Sequence, residues 1–78
     1  MIKLTQGTKV RHFKGKDYTI VALARDSETL AELVVYRAEY FDPKLQTAGQ
    51  VWVRPLAEFL ENVTDAEGKS VDRFEIVR

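Results

Sequence analysis

Four short stretches of this 78-residue chain hold side chains with chemistry to offer. They are Arg11-His12-Phe13-Lys14-Gly15-Lys16, the turn-like Asp26-Ser27-Glu28-Thr29, the pair Tyr36-Arg37, and Trp52-Val53-Arg54-Pro55. Arginine beside tryptophan and tyrosine makes a ligand platform, because a guanidinium grips a phosphate or carboxylate bidentately while an aromatic face stacks on a ring. Packing is the competing account: a small β domain needs large aromatics in its core, and arginine often lies over an exposed ring merely to cover it. Packing weighs more for Trp52. The two accounts balance for Arg54, whose charge fits a core poorly.

His12, the single histidine, is the side chain that titrates near neutral pH. With Glu28 as its acid partner it would serve a small enzyme, or enzyme subunit, acting on a phosphorylated or sugar substrate. A hydrolase built on Ser27 or Ser70, with His12 as base and Asp26 orienting it, is weaker, since neither serine sits in a nucleophile-elbow motif. Lys14-Gly15-Lys16 lacks the glycine density and strand-to-helix setting of a P-loop and reads as a solvated turn. Asp65, Glu67 and Gly68 offer too few oxygens, wrongly spaced, for a calcium loop.

With no cysteine in the chain, disulfides, thiolate nucleophiles, iron–sulfur clusters and thiolate zinc sites are excluded together. One histidine is too few for the multi-histidine sites of zinc and copper enzymes, so no cofactor and no metal are expected. A chain this short supports one core and hence a single domain spanning residues 1–78, with a stability of a few kcal/mol on the order expected for its size. That leaves little to hold a strained active site and favours binding over catalysis. Met1–Gly7 is too short and polar for a signal-peptide core, and no apolar run reaches the roughly 18 residues of a membrane helix. The expected location is the cytoplasm, with no membrane partner.

The 12 basic and 12 acidic side chains cancel, but they are unevenly placed. Residues 1–25 hold Lys3, Lys9, Arg11, Lys14, Lys16 and Arg25 against Asp17 alone. Such a surplus could meet an anionic partner. The plainer expectation is that the basic first strand pairs with a later acidic one, since the neutral whole lacks the excess of a typical nucleic-acid binder.

The elements that must position these residues are strands. Thr8–Phe13 reads as a first strand, Lys14–Asp17 as a tight turn in which Gly15 takes the positive φ other residues resist, and Tyr18–Arg25 as the return strand. Asp26–Thr29 suits a turn, and Glu32–Phe41 is the strongest strand signal. Asp42–Gln50, with Pro43 and Gly49, predicts a loop or extended hairpin tip, followed by a strand over Gln50–Arg54. Pro55 holds Arg54 extended and can open a helix, after which Leu56, Phe59 and Leu60 fall at helical spacing and are expected in the core. Val63–Asp65 and Arg73–Val77 are the last strands, around a turn at Ala66–Lys69. The fold class is mainly β: a small five- or six-stranded antiparallel SH3-like barrel, or failing closure a curled sheet, with one short helix. Alternation sets Val34, Tyr36, Ala38 and Tyr40 on one face, opposite Leu33 and Val35, and sets Trp52 and Arg54 opposite Val51 and Val53. Should Trp52 and Tyr36 lie in register, an aromatic patch forms beside Arg54.

Arg11-His12-Phe13-Lys14-Gly15-Lys16, Ser27-Glu28-Thr29, Val34-Val35-Tyr36, Trp52-Val53-Arg54-Pro55 and Arg73-Phe74, in that order over residues 7–75, resemble a family of short, mostly bacterial proteins known as domain of unknown function 1653. That family's pattern has Tyr where this chain has Val10, His at Asp26 and Pro at Asp72, and a shorter link than Asp42–Gln50. The missing turn histidine weakens any mechanism that needs two. The resemblance implies that His12, Ser27, Glu28, Tyr36, Trp52 and Arg54 meet in space, and it names no activity. The leading expectation is a non-catalytic binding module. Tyr36 and Trp52 would stack, Arg54 would grip an anion, and Arg11 and His12 would flank, the partner being an anionic ligand, a nucleic acid or a protein segment. The enzyme using His12 and Glu28 is the alternative, and a structural homodimer through a sheet edge is the third.

Overall fold

A computed structural model describes residues 4–77, so Lys3 of the basic stretch and the first residues of the polar N-terminal segment lie outside it. In chain order the elements are β1 (Lys9–His12), β2 (Asp17–Arg25), β3 (Glu32–Ala38), β4 (Phe41–Asp42), β5 (Thr47–Ala48), β6 (Val51–Pro55), α1 (Leu56–Phe59), β7 (Asn62–Thr64), β8 (Ser70–Asp72) and β9 (Phe74–Ile76). Five of them form an antiparallel sheet in the order β6-β3-β2-β1-β9, and β4–β5 and β7–β8 are small separate ladders.

Turn chemistry sets the two long hairpins. Gly15 sits at φ +103°, and the amides of Gly15 and His12 donate to the carbonyls of His12 and Lys16 at 2.7 and 2.8 Å, which closes β1 onto β2. Asp26 Oδ1 accepts from the Glu28 and Thr29 amides at 2.8 and 3.1 Å, so the side chain replaces a backbone turn partner between β2 and β3. The β2–β3 ladder is interrupted by a bulge between Ile20 and Ala22, and a bulged strand bends and twists.

The bend wraps one face of the sheet around Leu4, Val10, Ile20, Val34, Tyr36, Phe59 and Phe74, all nearly inaccessible to solvent. The outer strands β6 and β9 do not pair, so the barrel expected from the sequence is not closed by hydrogen bonds. The helix fills the gap. Phe59 of α1 lies flat on Phe74 of β9, with ring centroids 4.0 Å apart and planes within 4°. Beside the stack, the Arg73 amide donates to the Glu61 carbonyl at 3.0 Å and Arg73 Nε to the Glu58 carbonyl at 3.0 Å. The curled, open sheet is therefore the observed alternative, latched by one aromatic contact and its polar rim.

Pro55 precedes the helix at φ −55°, as its ring requires, but α1 is a single turn. Only Phe59 of the three expected core residues is buried; Leu56 is half-buried and Leu60 is 44% exposed. One turn presents Leu56 and Phe59 to the core and leaves Leu60 outside it. Asp42–Gln50 is the hairpin tip, its ends pinned by β4 and β5. β3 stops at Ala38 and bends before Tyr40, and Ser70–Asp72 is a strand the sequence pattern did not show, because its pairing with β7 is its main signature. Charge compensation follows the plainer expectation in part. Arg11 binds Asp17 at 2.7 Å and stands opposite Glu75, and Arg25 meets Glu32 at 3.4 Å. Among the described residues, no helix is long and apolar enough to cross a membrane.

Candidate functional site

β3 and β6 bring the aromatic and cationic residues together by register. Tyr36 pairs with Trp52 and Val34 with Arg54, so alternation puts the indole and the guanidinium on the Tyr36 side of the sheet. Arg54 Nε donates to the Tyr36 hydroxyl at 3.4 Å, a long bond that leaves most of the guanidinium's donors free of it. The hollow they share has a volume of about 220 Å3 and is lined by His12, Tyr18, Tyr36, Tyr40, Trp52, Arg54 and Phe74.

Most of its rings are committed to one another. Tyr18 stands edge-on to Tyr36, Tyr40 and Phe74 at 5.2 to 5.9 Å, and Tyr36 does the same to Phe59 and Phe74 at 5.5 Å. The Tyr18 and Tyr40 hydroxyls are 2.8 Å apart and share a hydrogen bond. Burial first, and then that bond, push the Tyr18 phenol well above the ordinary tyrosine range, so it keeps its proton at any physiological pH. The Lys16 ammonium lies 4.9 Å from the Tyr40 ring centre.

His12 closes one end. Its ring packs edge-on to Phe74 at 5.0 Å, and its Nδ1 accepts from the Lys14 amide at 3.2 Å. Partial burial lowers its pKa below 6.5, and the positive charges of Arg54, Arg73 and Lys14 lower it further. The imidazole is neutral at pH 7, and the Nδ1 bond assigns its proton to Nε2.

Two groups in this hollow are uncommitted. Trp52 is 39% exposed and, among the described residues, its ring makes no stacked, edge-on or cation contact. Arg54 has no carboxylate within 4.0 Å among the described residues, unlike Arg11, Arg25, Arg37 and Arg73. The lining contains phenols, an imidazole, a guanidinium and no carboxylate, which equips it to hold an anion or a flat polar ring. Two larger hollows lie elsewhere: one of about 420 Å3 where Arg25 is paired with Glu32, and one of about 690 Å3 whose lining mixes Lys14 with the carboxylates of Asp65 and Glu67, Asp65 accepting from the Glu67 and Lys69 amides. No group of three or more metal-binding side chains occurs among the described residues.

The structure gathers His12, Tyr36, Trp52 and Arg54 and separates the rest of the expected set. Arg11, next to His12 on a strand, faces the opposite side of the sheet and is engaged by Asp17. Ser27 and Glu28 are exposed in the turn at the far end of the β2–β3 hairpin; Arg25 lies seven steps along β2 from Tyr18, roughly 23 Å at strand rise. A Glu28–His12 acid–base pair is therefore not formed. Three lining residues were missing from the candidate set. Tyr18 and Tyr40 could have been found by alternation, since Tyr18 shares a face with Ile20 and Tyr40 with Tyr36. Phe74 could not, because it arrives through the β1–β9 pairing of His12 with Phe74.

Comparison with known proteins bears on the family and the fold. No curated protein matches the chain. A crystal structure of a protein of the DUF1653 family from Bordetella bronchiseptica superposes with a TM-score of 0.76 at 32% identity, over 94% of this chain and 87% of that one. The model of the same family, described as protein of unknown function (DUF1653), matches residues 8–76, the stretch that holds both latched edges of the sheet and every residue lining the hollow. The chain thus belongs to the DUF1653 family.

Proposed function

We propose that this protein is a small, non-catalytic binding module that uses its curled sheet in an SH3-like manner and takes an anionic ligand in the hollow between β1, β3 and β6. One observation carries the reading: among the described residues, an arginine without a carboxylate partner stands next to an indole without a ring partner. Leaving both unpartnered forgoes contacts that the rest of the molecule makes, and an anion on Arg54 restores the ion pair. The ligand is a small molecule, a nucleic acid or an acidic protein segment. The absence of disulfide-forming cysteine accords with a cytoplasmic location. An amide chemical-shift titration at low salt with inorganic phosphate, nucleotides, sugar phosphates and an acidic peptide tests the reading. Saturable shifts at His12, Tyr36, Trp52 and Arg54 that vanish in Arg54→Gln are expected; a folded protein whose spectrum no anion moves would overturn it.

A second reading, self-association, is favoured by β6 itself. It is an outer strand, and its Val51 and Val53 are 49% and 59% exposed. Sedimentation equilibrium at high concentration decides it: a monomeric mass there rejects the dimer.

A further inference from the structure

The hollow's dimensions and polar atoms narrow the class of anion, and the narrowing rests on the binding reading above. Its volume of about 220 Å3 is below the roughly 300–1,000 Å3 of sites for drug-sized ligands, so it accepts one ring-sized unit. The uncommitted groups are a stacking face, Trp52, and a planar cation, Arg54, two residues apart on one strand and on the same side of it. A ligand that uses both carries a flat ring joined to an anionic group. The remaining polar atoms favour a heterocycle over a hydrocarbon ring. The hydroxyls of Tyr18 and Tyr40 bond each other and that of Tyr36 accepts from Arg54, so each keeps capacity for a further hydrogen bond, and with the His12 imidazole they belong to residues lining the same hollow. A heterocycle with donors and acceptors on its edge uses that capacity, and a phenyl group does not. A cationic ring ligand is disfavoured by Lys16 over Tyr40 and by Arg54 itself.

We infer that the hollow is a nucleotide-unit site, in which the base stacks on Trp52 with its edge toward the tyrosine hydroxyls and His12, and the phosphate lies on Arg54. The same chemistry is offered by a free nucleoside monophosphate and by one residue of a single strand.

The test uses the whole protein and two readouts, amide shifts and the fluorescence of its single tryptophan, Trp52. The probes are the four nucleoside monophosphates, the matching nucleosides, inorganic phosphate, phenyl phosphate and a trinucleotide. At least one monophosphate is expected to bind tenfold or more tighter than its nucleoside, inorganic phosphate or phenyl phosphate, and to quench Trp52. Trp52→Ala should reduce that monophosphate to the affinity of inorganic phosphate, and Arg54→Gln should reduce it to that of the nucleoside. On the unaltered protein, nuclear Overhauser contacts between base protons and the indole give the same answer without relying on a variant's folding. Equal affinity for inorganic phosphate and every monophosphate would reject the nucleotide assignment while leaving the anion reading intact, and so would phenyl phosphate matching the best monophosphate. Failure of every anion to bind would remove both. Given preferential monophosphate binding, a trinucleotide that binds more tightly still identifies a strand as the source, and equal affinity identifies the free nucleotide.

Discussion

Replacing Phe59 and Phe74 by leucine, singly and together, measures what holds the curled sheet shut. The two rings are 1% and 4% exposed and stack at 4.0 Å, and they join α1 to β9 where β6 and β9 fail to pair. Truncation of either to alanine would cost about 3–5 kcal/mol. A chain of 78 residues has about 4–12 kcal/mol in total, so alanine risks unfolding the domain and leucine is the usable substitution. Each leucine keeps most of the buried apolar area and should cost about 1–2 kcal/mol, lowering Tm by roughly 4–8 °C per kcal/mol in a domain of this size. If the stack is the latch, the double-mutant cycle should return a coupling of about 0.5–1.5 kcal/mol, since either single change already removes the ring–ring contact. Urea unfolding followed by far-ultraviolet circular dichroism supplies the four stabilities. Additivity within about 0.3 kcal/mol would mean that the rings contribute independently, and the latch would be refuted.

His12 should titrate below 6.5 in the folded protein, because burial and the nearby cations disfavour its charged form. The unfolded chain then binds the proton more readily. Stability is fully present above about pH 6.5 and declines as pH falls from there through the lower folded value. Histidine proton shifts followed against pH check this, and Arg54→Gln should raise the midpoint; a midpoint at or above 6.5 in the unaltered protein contradicts the partial burial of the ring among these cations. Gly15→Ala should destabilise by about 1–2 kcal/mol through backbone strain alone, since nothing lies within 4 Å of a Cβ built there and φ is +103°. D-alanine at the same position, introduced by chemical synthesis, should be tolerated in thermal unfolding, and an equal loss from both isomers would point to a steric cause instead.

Neighbouring residues carry local information, and this chain's local features were correspondingly legible. Gly15 and Asp26 mark their hairpins because a positive φ and a side chain that replaces a backbone partner are properties of single residues. Alternation alone placed Tyr36 with Val34 and Trp52 with Arg54, since every strand obeys a period of two whatever it pairs with. The absence of cysteine and the single histidine narrowed the chemistry before any fold was considered.

Tertiary structure decided what depends on partners distant in sequence. Ser27 and Glu28 sit in a motif as prominent as that of Trp52, yet the length of the β2–β3 hairpin carries them to the far end from the hollow. Arg11 was lost to the set by the alternation that kept His12, once the β1–β9 pairing fixed which side faced inward. Closure of the sheet by Phe59 on Phe74, rather than by a hydrogen-bonded seam, required two residues from separate elements to meet face to face. Which aromatic remained exposed followed from the same packing, for Tyr18, Tyr36 and Phe74 satisfied one another and left Trp52 without a ring to meet among the described residues. A side chain's type can be read from the sequence, but whether its face and charge are already taken depends on neighbours that only the folded chain assembles.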